Sequence, residues 1–152
     1  MIIAESVPLQ PNIERLAVSL GTTRDTLLNI LYSLDKAEVL DLLTSELKSY
    51  KKLVKPEKIY LGNTNLMHAF TPVIDKGTLR ETFFIDQLAA VSTVQMPCKG
   101  DFLVGGEYLF EIGGPGKDFS QIAGVPNSFL AMDGIETGYG ARIPLWLTGF
   151  LY

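Results

Sequence analysis

The residues best able to do chemistry lie between Glu81 and Gln121. The stretch from Gly100 to Gln121 reads as two short apolar strands joined by a Gly-Gly turn. Asp101 opens the first and Glu111 closes the second. With Gly105, Gly106 and Glu107 as a three-residue loop, Val104 pairs with Tyr108, Leu103 with Leu109, Phe102 with Phe110 and Asp101 with Glu111. Side chains alternate faces along a strand, so Asp101, Leu103, Leu109, Glu111 and Gly113 share one face. Opposed carboxylates repel unless a cation lies between them, and a divalent metal with oxygen ligands is the usual cation. Mg²⁺ or Mn²⁺ held by Asp101 and Glu111 is therefore the cofactor expectation. A register slip of one residue would separate the acids.

Glu81 lies three, four and seven residues before Phe84, Ile85 and Leu88, on the apolar side of a helix running from Gly77-Thr78 to about Ala90. Two readings stay open. The carboxylate meets a partner, a metal or a polar pocket, or it is a helix-start charge favoured by the dipole and partly buried. Lys117 and Gln121 open a second helix after Gly113-Gly114-Pro115-Gly116. That glycine run is either a turn or an anion cradle at a helix start. His68, the only histidine, has no visible partner and reads as structural.

Around these residues the chain suits globular folding. It has 152 residues, 47% of them apolar, enough for one ordinary domain or two small ones. Its single cysteine, Cys98, supports neither an internal disulfide nor a zinc site. No apolar run approaches the ~20 residues of a membrane span, and no signal peptide is visible. The expectation is a cytoplasmic protein with no membrane partner. No G-x-x-x-x-G-K-[ST], G-x-S-x-G, CxxC or histidine pair occurs, which excludes a P-loop ATPase site within this chain.

The first third has a different character. Pro11-Asn12 opens one helix carrying Ile13, Leu16, Ala17 and Leu20. Gly21-Thr22 ends it, and Thr23 caps a second helix reaching about Glu38. Leu27, Leu28, Leu31 and Leu34 form its buried stripe, with Asp25, Asn29, Tyr32 and Lys36 opposite. Val39–Leu43, a lysine-rich loop and Ile59–Leu61 then read as strand, wing and strand, completing a winged helix-turn-helix. Residues 48–58 carry a net +4, which leaves −8 for the rest of the chain. Such a patch either binds nucleic acid or is a solvated loop. The nucleic-acid expectation rests on Arg24, Asn29, Lys48, Lys51, Lys52 and Lys55. The second helix itself is net −1 over Thr22–Glu38, unlike a strong major-groove reader. The apolar end, Ile143–Tyr152 with Trp146, either docks in the core or faces a partner.

The order of Glu81 on a helix, Asp101 and Glu111 on strands and Gln121 on a second helix resembles the PD-(D/E)xK nuclease core. The chain also resembles the C-terminal region of AAA-type ATPases, in which a winged helix and a nuclease-like domain follow the ATPase core. The phrases that carry this are L-Q-P-N-I-E-R-L-A, K-P-E-K-I-Y-L-G-N-T-N-L-M, G-T-L-R-E-T-F-F, G-D-F-L-V, Y-L-F-E-I-G-G and I-P-L-W-L-T-G-F-L-Y. The resemblance implies an ATP-binding ATPase core upstream in the same polypeptide; an oligomer is a further partner expectation, within the protein-interaction reading. It further implies an α/β (α+β) chain with a winged helix over residues 1–66 and a restriction-endonuclease-like domain over 67–152. By the same resemblance Asp101 and Glu111 would hold a divalent metal, Glu81 would assist, and a lysine two residues after Glu111 would orient the attacking water. That position is Gly113. Without the lysine the expectation is a vestigial site that binds nucleic acid without cutting it. The alternatives are a protein-interaction module regulating the ATPase, and an active Mg²⁺-dependent nuclease in which Lys117 reaches back.

Overall fold

The computed structural model describes residues 8–46 and 53–151. It is a mixed α/β chain of two compact units, Met1–Ile74 and Asp75–Tyr152. The division leaves the helix Thr64–Phe70 within the first unit.

In the first unit, α1 (Ile13–Ser19) is capped by Asn12, whose side chain accepts the Arg15 N–H at 2.9 Å. Helix α2 (Arg24–Lys36) is capped by Thr23 in the same way. Side-chain oxygens at these caps satisfy backbone donors that a helix start leaves unpaired. Leu27, Leu28 and Leu31 are buried and Leu34 is half-buried. Strands β1 (Leu40–Leu43) and β2 (Lys58–Leu61) pair antiparallel, Leu40 with Leu61 through Leu43 with Lys58. Leu9 bridges Ile59 on the other edge of β2. Tyr32, placed by its spacing on the solvent face, is instead half-buried, and its hydroxyl donates to the Val54 carbonyl at 2.9 Å. Burial pushes that phenol above its ordinary pKa. Helix α3 (Thr64–Phe70) follows β2 within Pro56–Phe70, a stretch whose Gly62-Asn63-Thr64-Asn65 reads from sequence as turn rather than helix. Asn63 caps it through a bond from the Asn65 N–H at 2.7 Å.

The second unit opens with α4 (Lys76–Ala89), capped by Asp75, whose carboxylate accepts the Thr78 N–H at 2.9 Å. Five strands follow in spatial as well as chain order: β3 (Val94–Gln95), β4 (Phe102–Val104), β5 (Tyr108–Gly113), β6 (Ser128–Met132) and β7 (Arg142–Pro144). The β3–β4 and β4–β5 pairs are antiparallel, and β5–β6 and β6–β7 are parallel. The expected hairpin register is present from Val104↔Tyr108 to Phe102↔Phe110. Gly105 and Gly106 adopt φ of 63° and 70°, a left-handed pair that other residues take only with strain.

One face of this sheet packs on α4. Phe84 stacks on Phe102 at 5.2 Å and meets Phe110 in a tilted contact at 5.0 Å between ring centroids. The other face is covered by the crossover between β5 and β6. A helix was expected there from Lys117. The crossover instead runs without regular structure to a single 3₁₀ turn, Ser120–Ile122. Asp118 explains part of this, since its carboxylate accepts both the Ser120 N–H and hydroxyl. Such local side-chain bonds compete with helix propagation. Ile122 is fully buried and anchors the crossover.

The last segment, a 3₁₀ stretch from Leu145 to Phe150, splits its residues between core and solvent. Leu145 and Thr148 are buried, and the stretch packs on α4. Trp146 is 47% and Phe150 76% exposed, their rings edge to face, with the indole N–H donating to the Ile135 carbonyl.

Candidate functional site

Glu111 is the organising residue of the second unit's polar face. It lies in β5 between Phe110, whose ring meets α4, and Ile112, so its side chain points to the crossover layer. Only 1% of it is exposed. A carboxylate so placed needs charge-assisted partners, and the crossover brings two. The Lys117 ammonium forms an ion pair with Glu111 Oε1. The Gln121 side chain reaches the same carboxylate. With its amide nitrogen turned inward it donates to Oε2 at 3.1 Å, the orientation that satisfies both groups.

Gly113, the position where the nuclease pattern carries lysine, explains how Lys117 fits. A Cβ built on Gly113 would overlap the Cβ and Cγ of Lys117. The stem of Lys117 thus occupies the volume that a side chain at 113 would fill. One lysine fits on this face, supplied from residue 117. The turn that returns it is closed by the Lys117 N–H donating to the Gly114 carbonyl at 3.0 Å. The glycine run is therefore a turn, with no helix start behind it to bind an anion.

Asp101 lies just outside β4, at a local kink. Its N–H donates to the Phe110 carbonyl at 2.9 Å, and its Oδ2 accepts the Ile112 N–H at 2.8 Å. The carboxylate is so fixed beside the strand that carries Glu111. The Lys117 pKa is raised above the ordinary lysine value of 10.5, first by its hydrogen bond to Glu111 and then, against an opposing desolvation, by the charges of Glu111, Asp101 and Asp118. Lys117 is thus a fixed cation and donor at neutral pH rather than a proton acceptor.

Asp101, Glu111, Lys117 and Gln121 therefore form one cluster. Glu81 is half-buried on α4, the helix that packs on the opposite face. The first turns of α4 lie at the carboxyl end of the sheet. Arg80 pairs there with Asp133 at 2.9 Å, and its guanidinium is about 3.1 Å from a Cβ built on Gly114.

Hard divalent cations take oxygen ligands, and Mg²⁺ commonly keeps its waters and binds through one or two carboxylates plus substrate phosphates. Asp101 and Glu111 supply the two carboxylates that such a mode would need. They do not make an all-protein cage: among the described residues no three His, Cys, Asp or Glu side chains gather as a metal site.

The first unit's expected nucleic-acid residues are less gathered. Arg24 is paired with Glu14 at 3.4 Å and Asp25 at 3.2 Å, all three largely exposed. Asn29 and Lys55 are exposed. Lys48, Lys51 and Lys52 lie outside the described residues. A cavity of about 380 Å³ opens between Leu9, Pro11, Asn12, Arg15, Leu16 and Ser19, lined by none of these residues. His68 is exposed at the end of α3.

No protein-family model, no curated protein and no solved structure matches this chain. No helix among the described residues is long and apolar enough to cross a membrane.

Proposed function

We propose that the second unit is a nuclease-type site acting on phosphodiesters, with Lys117 in the role of the lysine that its motif position, Gly113, lacks. We propose further that the chain is the winged-helix and nuclease-like part of an AAA-type ATPase. Sequence phrases alone support that second statement. The first is supported by one observation above the rest: the Lys117 ammonium reaches the buried Glu111 carboxylate through the space left empty by Gly113.

In this reading Asp101 and Glu111 would hold Mg²⁺ or Mn²⁺. When bound, the metal would lower the pKa of a water and offset phosphate charge. Lys117, fully protonated at neutral pH, offers N–H donors to the attacking water and to a non-bridging phosphate oxygen. Gln121 holds the Glu111 carboxylate in place through its amide. The Ile112 N–H fixes Asp101.

A second reading, nucleic-acid binding without cleavage, is favoured by a separate observation. Both oxygens of Glu111 are already engaged by Lys117 and Gln121, and among the described residues no three His, Cys, Asp or Glu side chains gather as a metal site. Incubation of the chain with labelled DNA and Mn²⁺ separates the two. Cleavage that falls about 10²–10³-fold in Lys117→Met and is abolished in Asp101→Asn supports the first. The exchange Gly113→Lys with Lys117→Gly returns the lysine to its motif position, and recovery of activity in that double variant would fix its role. DNA binding with no cleavage at any metal concentration supports the second. Absence of both leaves a protein-interaction module.

A further inference from the structure

Arg142 is a cation of the second unit, held by two aromatic rings, that the site above does not use. Its guanidinium carbon lies 5.7 Å from the centroid of Phe119 and 5.1 Å from that of Tyr139. Two backbone bonds at 3.0 Å, in both directions, tie Tyr139 to Arg142 across the Gly140 turn. Phe119 belongs to the crossover, two residues after Lys117 and two before Gln121. Arg142 thus touches the loop that delivers both partners of Glu111.

The sheet fixes its direction. Glu111 pairs with Leu130, and Leu130 with Arg142. In-register residues on parallel strands face one side, so Arg142 emerges on the face of Glu111. Two strand spacings put their backbones about 10 Å apart, the axial rise of roughly three nucleotides. Arg142 is half-exposed, and Tyr139 is 61% exposed. Among the described residues no carboxylate forms an ion pair with Arg142, whereas Arg24, Arg80 and Lys117 all have one.

Aromatic rings engage the flat face of a guanidinium and leave its edge N–H donors free. An arginine whose plane is oriented by stacking loses little entropy when it meets phosphate in a two-pronged contact. We propose that Arg142, oriented by Phe119 and Tyr139, is a phosphate-binding residue that grips the nucleic-acid backbone a few nucleotides from the Glu111–Lys117 cluster. This rests on the nucleic-acid reading of that cluster and adds where the strand runs: from β5 across β6 towards β7.

The test is the salt dependence of binding. A fluorescently labelled single-stranded oligonucleotide is titrated with the full chain, without metal, at several salt concentrations. Arg142→Met should weaken binding about tenfold near 0.1 M salt, whatever the sequence, and flatten the slope of log affinity against log salt by about 0.7, one phosphate contact. Arg142→Lys, which keeps the charge but not the plane, should keep the slope and recover part of the affinity. NMR chemical shifts of the Glu111, Lys117 and Gln121 backbone amides in Arg142→Met report on the loop. Unchanged shifts show the cluster intact and assign the lost affinity to Arg142 itself. Loss of the native shifts of Lys117 and Gln121 makes Arg142 a loop support and overturns the proposal. An unchanged affinity and slope in Arg142→Met overturns it too. If the unaltered chain binds no oligonucleotide, the nucleic-acid reading of the cluster fails first, and this inference with it.

Discussion

The two units treat their cations in opposite ways. In the first, Arg24 meets Glu14 and Asp25 on an open surface, where each partner also has water. Exposed pairs of this kind contribute little, and their geometry is not enforced. In the second, Lys117 meets Glu111, a carboxylate almost wholly shut off from solvent. Burial raises the cost of leaving that carboxylate alone, so the crossover is obliged to deliver partners to it. The difference shows where a charge is informative. A surface cation whose partners also face water reports little beyond the charges around it. A cation brought to a buried acid from six residues on, against a glycine whose missing side chain makes room, reports a site.

Lys117→Met should sharpen the contrast most. It leaves Glu111 buried with only Gln121, and urea unfolding should show a loss of about 2–3 kcal/mol. Glu111→Gln should cost less, about 1 kcal/mol, because Lys117 is 30% exposed and can turn to water. Equal costs for the two variants would mean that the pair is not asymmetric in burial.

Gly113→Ala places a methyl group on the stem of Lys117 and should cost about 1–3 kcal/mol. Combined with Lys117→Gly, the two costs should sum to more than the double variant loses. Strict additivity would show that the two residues do not share one space.

The Lys117 titration gives a pH test of the same contact. A pKa raised on folding adds stability that is complete below the unfolded value, 10.5, and is lost as pH rises through the folded value. The second unit should therefore unfold more easily above about pH 10.5, and in Lys117→Met this alkaline loss should disappear.

The last two are smaller. Asp75→Ala removes the cap of α4 and should cost about 1 kcal/mol. Arg24→Ala should change stability by less than about 0.5 kcal/mol. A loss above about 1 kcal/mol at Arg24 would break the comparison, since the first unit's pairs would then be as constraining as the second's.

Local chemistry accounts for what was legible in advance. Asn12 and Thr23 cap helices because their short side chains match the geometry of a helix start. The hairpin register followed from two adjacent glycines able to take positive φ, which sets the loop at three residues and so the pairing from Val104 to Phe102. Helix α3 was missed because its Asn63 cap lies in a stretch of turn-forming residues. Tyr32 was misplaced because its helix face meets Val54, twenty-two residues on.

By itself the sequence determined that Glu111 would share a sheet face with Gly113, since alternation along a strand needs no other part of the chain. It also determined that residue 113 could not supply a lysine. Only the tertiary structure decided what fills that gap. The crossover failed to become a helix, Asp118 turned it locally, and Ile122 pinned it to the core, which set Lys117 and Gln121 on Glu111 and Phe119 on Arg142. None of those placements is a property of spacing along the chain. They follow from the crossover having to cover the sheet and from a buried carboxylate having to be met.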